Sequence, residues 1–193
     1  MNINDIEIIL KELSCLNGEK LNTVQRAAAT GMLGFGETRK KEVTRRSKDG
    51  SNATKIIDLS KYALHLQIPF RFVRGNEIIL GNFDMFEPTS EMEESPDFDW
   101  EAHQDMGWDN PGKNRYDEIA KKIFVEEDYV VSNVEVSKLY DVKIFFTNEC
   151  VLETFNNATD DLEFWRFFET ENKEKEHLVI LGTGIEVLDY DEK

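Results

Sequence analysis

His65, Gln67 and Arg71 are side chains with chemical reach, and they share one side of a patterned stretch. In Tyr62-Ala-Leu-His-Leu-Gln-Ile-Pro-Phe-Arg-Phe-Val73, alternation at period two puts Tyr62, Leu64, Leu66, Ile68, Phe70 and Phe72 on one face. Ala63, His65, Gln67, Pro69, Arg71 and Val73 fall on the other. An imidazole, an amide and a guanidinium in a row would hold a carboxylate or another anion. The structural use is the expectation: bonds to neighbouring strands and, for Arg71, an acidic partner among 39 Asp and Glu. A small-molecule site or enzyme built on His65, Gln67 and Arg71 is the alternative, and it requires a pocket on which all three converge.

A second constellation is acidic. Residues 84–110 hold ten Asp and Glu and no Lys or Arg. Within them, Asp97-Phe-Asp99-Trp-Glu101-Ala-His103-Gln-Asp105 sets oxygen ligands at alternate positions, as the start of a calcium loop does. The match then fails: Ala102 stands at the turn-glycine position and Trp108 at the twelfth, where a Glu belongs. His103 has no second His at helical spacing to suggest zinc. No metal and no cofactor are expected, and a divalent-cation loop over residues 97–105 stands only as an alternative. The leading expectation is a surface for a basic protein partner. Glu91, Glu93, Glu94, Asp97 and Asp99 would supply charge, and Trp100 and Trp108 the aromatic anchors that interfaces favour.

Nothing points to nucleophilic catalysis, and the chain is not expected to be an enzyme. It has no Gly-x-Ser-x-Gly elbow and no dinucleotide fingerprint, and its three His are far apart. Cys15 lies among apolar helical residues, and Cys150 follows Glu149, which disfavours a thiolate. Gly34-x-Gly36 lacks the strand–helix context of a phosphate loop. Trp165, Arg166, Phe167 and Phe168 would suit stacking on a ligand. A core role for Trp165 and Phe168, with Arg166 tied to a carboxylate such as Glu153, is preferred. His177 is read as structural.

The elements that must hold these groups follow in chain order. Ile6, Ile9, Leu10, Leu13 and Leu16 predict a helix over 5–16, with a capping box from Asn4 and Glu7 and a stop at Gly18. Residues 21–36 are ambiguous between helix and strand. Arg39-Lys40-Lys41, Arg45-Arg46 and Lys48, closed by Asp49-Gly50, predict a basic edge hairpin. The central strand runs from 62 to 73, with Pro69 at an edge or bulge. It turns at Arg74-Gly75-Asn76 and returns over 77–83. Residues 84–113 form an acidic insertion loop, and 114–124 a helix. Strands follow at 129–136, 142–147 and 150–155, then a helical turn at 160–168 and strands at 177–181 and 185–188.

The totals agree with an α+β fold of mostly antiparallel β, arranged as two packed sub-sheets or a partly open barrel. The sub-sheets are expected at 21–86 and 129–188, within a single domain of residues 1–193. Its parts are 1–83, the insertion 84–113, and 114–188. Residues 1–75 carry 13 Lys/Arg and 8 Asp/Glu, a net of +5, and the rest carry 10 and 31, a net of −21, which together give −16. Such a balance argues against nucleic acid and allows a basic protein partner. No apolar run approaches the ~20 residues of a membrane span, and no secretory leader is recognisable. With only Cys15 and Cys150, a cytoplasmic protein with reduced thiols is expected.

Five motifs resemble an uncharacterised family of bacterial cytosolic proteins. They are the run from Tyr62 to Arg71, Asn114-Arg-Tyr-Asp117, Leu152-Glu153-x-Phe155, Glu163-Phe-Trp-Arg-Phe-Phe168, and His177-Leu-Val-Ile. The Trp-Arg-Phe-Phe segment is similar to one in small proteins of toxin–immunity neighbourhoods. The resemblance implies an immunity-like interaction protein and brings no catalytic residue with it.

Overall fold

A computed structural model describes residues 3–46, 52–172 and 175–188. The chain opens with α1 (Ile3–Leu13), extended by a tighter turn over Ser14–Leu16. Ile9, Leu13 and Leu16 share the buried stripe, which packs on strand β6, defined below. Gly18, at φ +83°, releases the chain, a conformation that side chains with a Cβ resist. The cap expected from Asn4 and the turn at Asp49-Gly50 lie outside the described side chains and residues.

Next come β1 (Leu21–Ala27), β2 (Thr30–Arg46), β3 (Asn52–Leu66), β4 (Phe70–Arg74) and β5 (Glu77–Gly81). The ambiguous residues 21–36 are thus a hairpin, turned at Ala28 with φ 49°. Short helices α2 (Ser90–Glu93) and α3 (Trp100–Gln104) break up the acidic insertion, and α4 (Arg115–Glu126) follows. The remaining strands are β6 (Val131–Val136), β7 (Val142–Phe146), β8 (Cys150–Thr154), β9 (Glu163–Glu169), β10 (His177–Leu181) and β11 (Gly184–Leu188).

Among the described residues the strands form two antiparallel sheets, ordered β1-β2-β3-β9-β10-β11 and β5-β4-β8-β7-β6. Neither closes into a barrel. The partition expected at 21–86 and 129–188 does not hold. The first five strands are split between the sheets, and so are the last six. The break falls inside the stretch read as one strand: β3 ends at Leu66 and β4 begins at Phe70 in the other sheet. Pro69, which has no N–H to give a ladder, sits in the crossing. The alternation survives it. Tyr62, Leu64, Leu66, Ile68, Phe70 and Phe72 are all buried, and they join residues of both sheets, α1 and α4 in one apolar cluster. Each such side chain contributes about 1.5–3 kcal/mol before entropy is counted.

A second expectation fails at 160–168. These residues supply β9, not a helical turn. Leu66 pairs with Trp165 and Leu64 with Phe167, so the apolar residues on the core face are two apart. Leu162, which completed the three-residue spacing, is exposed. The insertion also does not bridge two sub-sheets. It leaves β5 and leads through α4 to β6, the two edges of a single sheet. Among the described residues no helix is long and apolar enough to cross a membrane.

Candidate functional site

The acidic segment is held from its far end. Arg26 projects from β1 with its side chain 5% exposed and forms ion pairs with Asp109 at 3.1 Å and Asp117 at 3.2 Å. The same guanidinium donates to the carbonyls of Trp108 at 2.8 Å and Asn110 at 3.3 Å. Asn114, fully buried, caps α4 by accepting from the Asp117 amide at 2.9 Å, and its Nδ2 donates to the Trp108 carbonyl at 2.8 Å. Asp117 also accepts from the Gly112 amide at 2.8 Å. Asn114-Arg-Tyr-Asp117 is therefore a cap joined to an ion-pair anchor. At the near end, the Arg115 amide donates to the Glu87 carbonyl at 2.9 Å, and Arg115 faces Asp84 at 3.9 Å.

These fastenings use up Asp84 and Asp109. No other acid of residues 84–110 forms an ion pair among the described residues. Glu91, Glu93, Glu94, Asp97 and Asp99 are exposed. Asp99 caps α3 through Oδ1, which accepts from the Ala102 amide at 3.0 Å. Like charges this dense repel one another, and an approaching cation relieves the repulsion. Trp100, 45% exposed, follows Asp99 with its ring edge-on to Phe98 at 5.2 Å. Trp108 is placed differently. It is half-buried, packed on Phe86 at 4.7 Å with the Arg26 guanidinium 5.8 Å from its ring, and so fastens the segment from inside.

His103 is not a metal ligand in this arrangement. It is 3% exposed, and its Nε2 lies 3.0 Å from the Phe86 carbonyl oxygen. Among the described residues no group of three metal-binding side chains comes together.

His65, Gln67 and Arg71 do not converge. His65 lies in the first sheet with its ring edge-on to Phe168 at 5.0 Å. Gln67 has an exposed side chain in the crossing, where its backbone N–H donates to the Phe164 carbonyl at 2.9 Å. Arg71 lies in the second sheet, ion-paired to Glu153 at 2.8 Å and 4.9 Å from the Phe155 ring. The strand crossing separates groups that the pattern put on one face. Glu153 takes Lys143 as well, at 2.8 Å. Hydrogen bonds from Lys143 and then Arg71 hold its carboxyl below the usual range, against the opposing effect of burial. Arg166 pairs with Glu163, within its own strand, rather than with Glu153. Burial pushes the Cys150 thiol up to about 11 and raises that of Cys15, so neither is a ready nucleophile.

The anchor at Arg26 was missed in the sequence. Its partners lie more than 80 residues away and no local motif marks it. No protein-family model matches the chain, and comparison with curated proteins and with solved structures gives no significant match.

Proposed function

We propose that this chain is a non-enzymatic bacterial interaction protein, immunity-like and cytoplasmic, that binds a basic protein partner through the surface of residues 84–110. One observation carries the reading: Glu91, Glu93, Glu94, Asp97 and Asp99 are exposed and without ion pairs among the described residues, in the same segment as a half-exposed Trp100. Charge of one sign steers an oppositely charged partner and raises its association rate. A large exposed aromatic in the same segment then slows dissociation once water is excluded. The Arg26 anchor supports the reading because a preformed surface loses less entropy on binding.

The test compares the wild type with Glu91→Gln/Glu93→Gln/Glu94→Gln/Asp97→Asn and with Trp100→Ala. Proteins retained from the source lysate by the wild type are purified, and their binding kinetics with the wild type and with both variants are measured from 50 to 500 mM NaCl. A basic partner is expected. Its association rate should fall about tenfold or more with salt, flatten in the quadruple variant, and leave Trp100→Ala with faster dissociation. A partner indifferent to salt and to all these substitutions defeats the proposal.

A further inference from the structure

The outer face of the first sheet carries a half-open cleft. Ten residues separate Lys55 from His65, about 33 Å of extended chain. Both nevertheless line one cleft of about 780 Å³, together with Thr23 and Gln25 of β1. The β2–β3 ribbon therefore bends towards β1. The bend has a cause: Gly36 takes φ +80°, and the register shifts between Phe35 and Thr38. The cleft is half open to solvent, and its volume falls within the roughly 300–1,000 Å³ typical of small-molecule sites.

The floor of the cleft is open for a specific reason. Gly34 pairs with Ala63, so the centre carries little side chain. A Cβ on Gly34 would come within 2.3 Å of Thr23 Oγ1 and 2.5 Å of Ser60 Oγ. Glycine thus lets two hydroxyls draw together over the backbone. Ser60 is 5% exposed, and its Oγ has no hydrogen-bond partner among the described residues. Leaving a buried hydroxyl in that condition is unfavourable, and such groups call for a specific account.

The walls differ in character. At one end Phe168 lies between two imidazoles, stacked on His177 at 4.3 Å and edge-on to His65 at 5.0 Å, beside the flexible Met32. At the other, Lys41 and Lys55 project from the ribbon, and neither forms an ion pair among the described residues. Asp58 is the carboxylate that lines the cleft with them. Most of the lining belongs to residues 1–75, the net-positive part of a strongly negative chain.

We propose that this cleft binds a small organic carboxylate with a flat apolar body. The body would lie against Met32 and Phe168, the Ser60 hydroxyl would meet its polar edge, and the carboxylate would face Lys41 and Lys55. The site is separate from the acidic surface, so either can exist without the other.

Two probes of equal shape separate charge from apolar contact: 2-naphthoate and its neutral counterpart 2-naphthamide. Binding is followed by amide shifts in ¹⁵N-labelled full-length protein and by calorimetry. In the wild type, 2-naphthoate is expected to shift the amides of Gly34, Ser60 and His177 and to bind about tenfold tighter than 2-naphthamide. Lys41→Ala/Lys55→Ala should reduce 2-naphthoate to the level of the amide, and Ser60→Ala should weaken both probes by roughly threefold to tenfold. The two lysines are exposed and the Ser60 hydroxyl makes no bond, so these variants should fold, which thermal melts will verify. Absence of shifts at millimolar 2-naphthoate, equal affinity for the two probes, or unchanged affinity in both variants would overturn the proposal.

Discussion

The Arg26 guanidinium and the Asp117 carboxylate meet at 3.2 Å across 91 positions of sequence. That contact ties the first turn of α4 to β1, and with it the end of the acidic segment to a sheet. Arg26→Met removes a nearly buried cation from Asp117, Asp109 and two carbonyls at once. A loss of about 3 kcal/mol is expected, since breaking a buried pair strands its partners. Urea denaturation measures it. Limited proteolysis should cut within residues 84–110 faster in the variant. Arg26→Lys should not restore stability, because one ammonium cannot replace the guanidinium fork.

Trp100 and Trp108 should behave as opposites. Trp100→Ala removes a ring that is 45% exposed and meets Phe98 and His103 edge-on, so a loss of about 1 kcal/mol or less is expected. Trp108→Ala removes the ring that packs on Phe86 and lies near Arg26, and about 2 kcal/mol or more is expected. Chemical denaturation of the two variants side by side checks the contrast. Equal losses would contradict the division between exposed anchor and internal fastener.

Glu153 links stability to pH. Its folded carboxyl is held below the ordinary value, so it stabilises the fold above the unfolded carboxylate value of about 4.3. That contribution disappears as pH falls through the lower, folded value. Arg71 and Lys143 are 41% and 49% exposed, so the effect is limited to about 1 kcal/mol. Glu153→Gln should therefore be less stable than the wild type by that amount near pH 7. The gap should close as pH is lowered below about 4.3 and on through the folded value, as urea midpoints measured across that range will show.

Cys150 is fully buried, and with a thiol pushed up to about 11 roughly one part in a thousand is thiolate at pH 8. Iodoacetamide should leave Cys150 unlabelled in the native protein and label it promptly in urea. Mass spectrometry of the modified peptides distinguishes it from the half-buried Cys15.

Phe72 lies just past the crossing, edge-on to Phe124 at 4.9 Å and stacked with Phe146 at 6.2 Å. Phe72→Ala should lower stability by about 3–5 kcal/mol through the cavity it leaves. A thermal melt detects this directly.

The legible part of the structure lay in local pattern. The stripe of Ile9, Leu13 and Leu16 announced α1. The turn at Arg74-Gly75-Asn76 announced the β4–β5 hairpin, and the short apolar runs at 129–136, 142–147 and 150–155 announced three strands of one sheet, observed within a residue or two of those bounds. At Leu162, Trp165 and Phe168 the pattern misled. Three-residue spacing resembles a helix, while the tertiary partners Leu64 and Leu66 required a strand. Of the acidic surface, composition disclosed the charge and not which Trp faces solvent.

Alternation from Tyr62 to Phe72 determined which side chains are buried, because burial depends on side-chain direction and that is set residue by residue along an extended chain. The same alternation was silent on which sheet each residue joins. That depends on hydrogen-bonding partners distant in sequence, Phe167 for Leu64 and Leu152 for Phe72. The separation of His65 from Arg71, the Arg26 anchor and the cleft under the bent ribbon all follow from such long-range pairing. No window of sequence contains both halves of those contacts, so only the tertiary structure decided them.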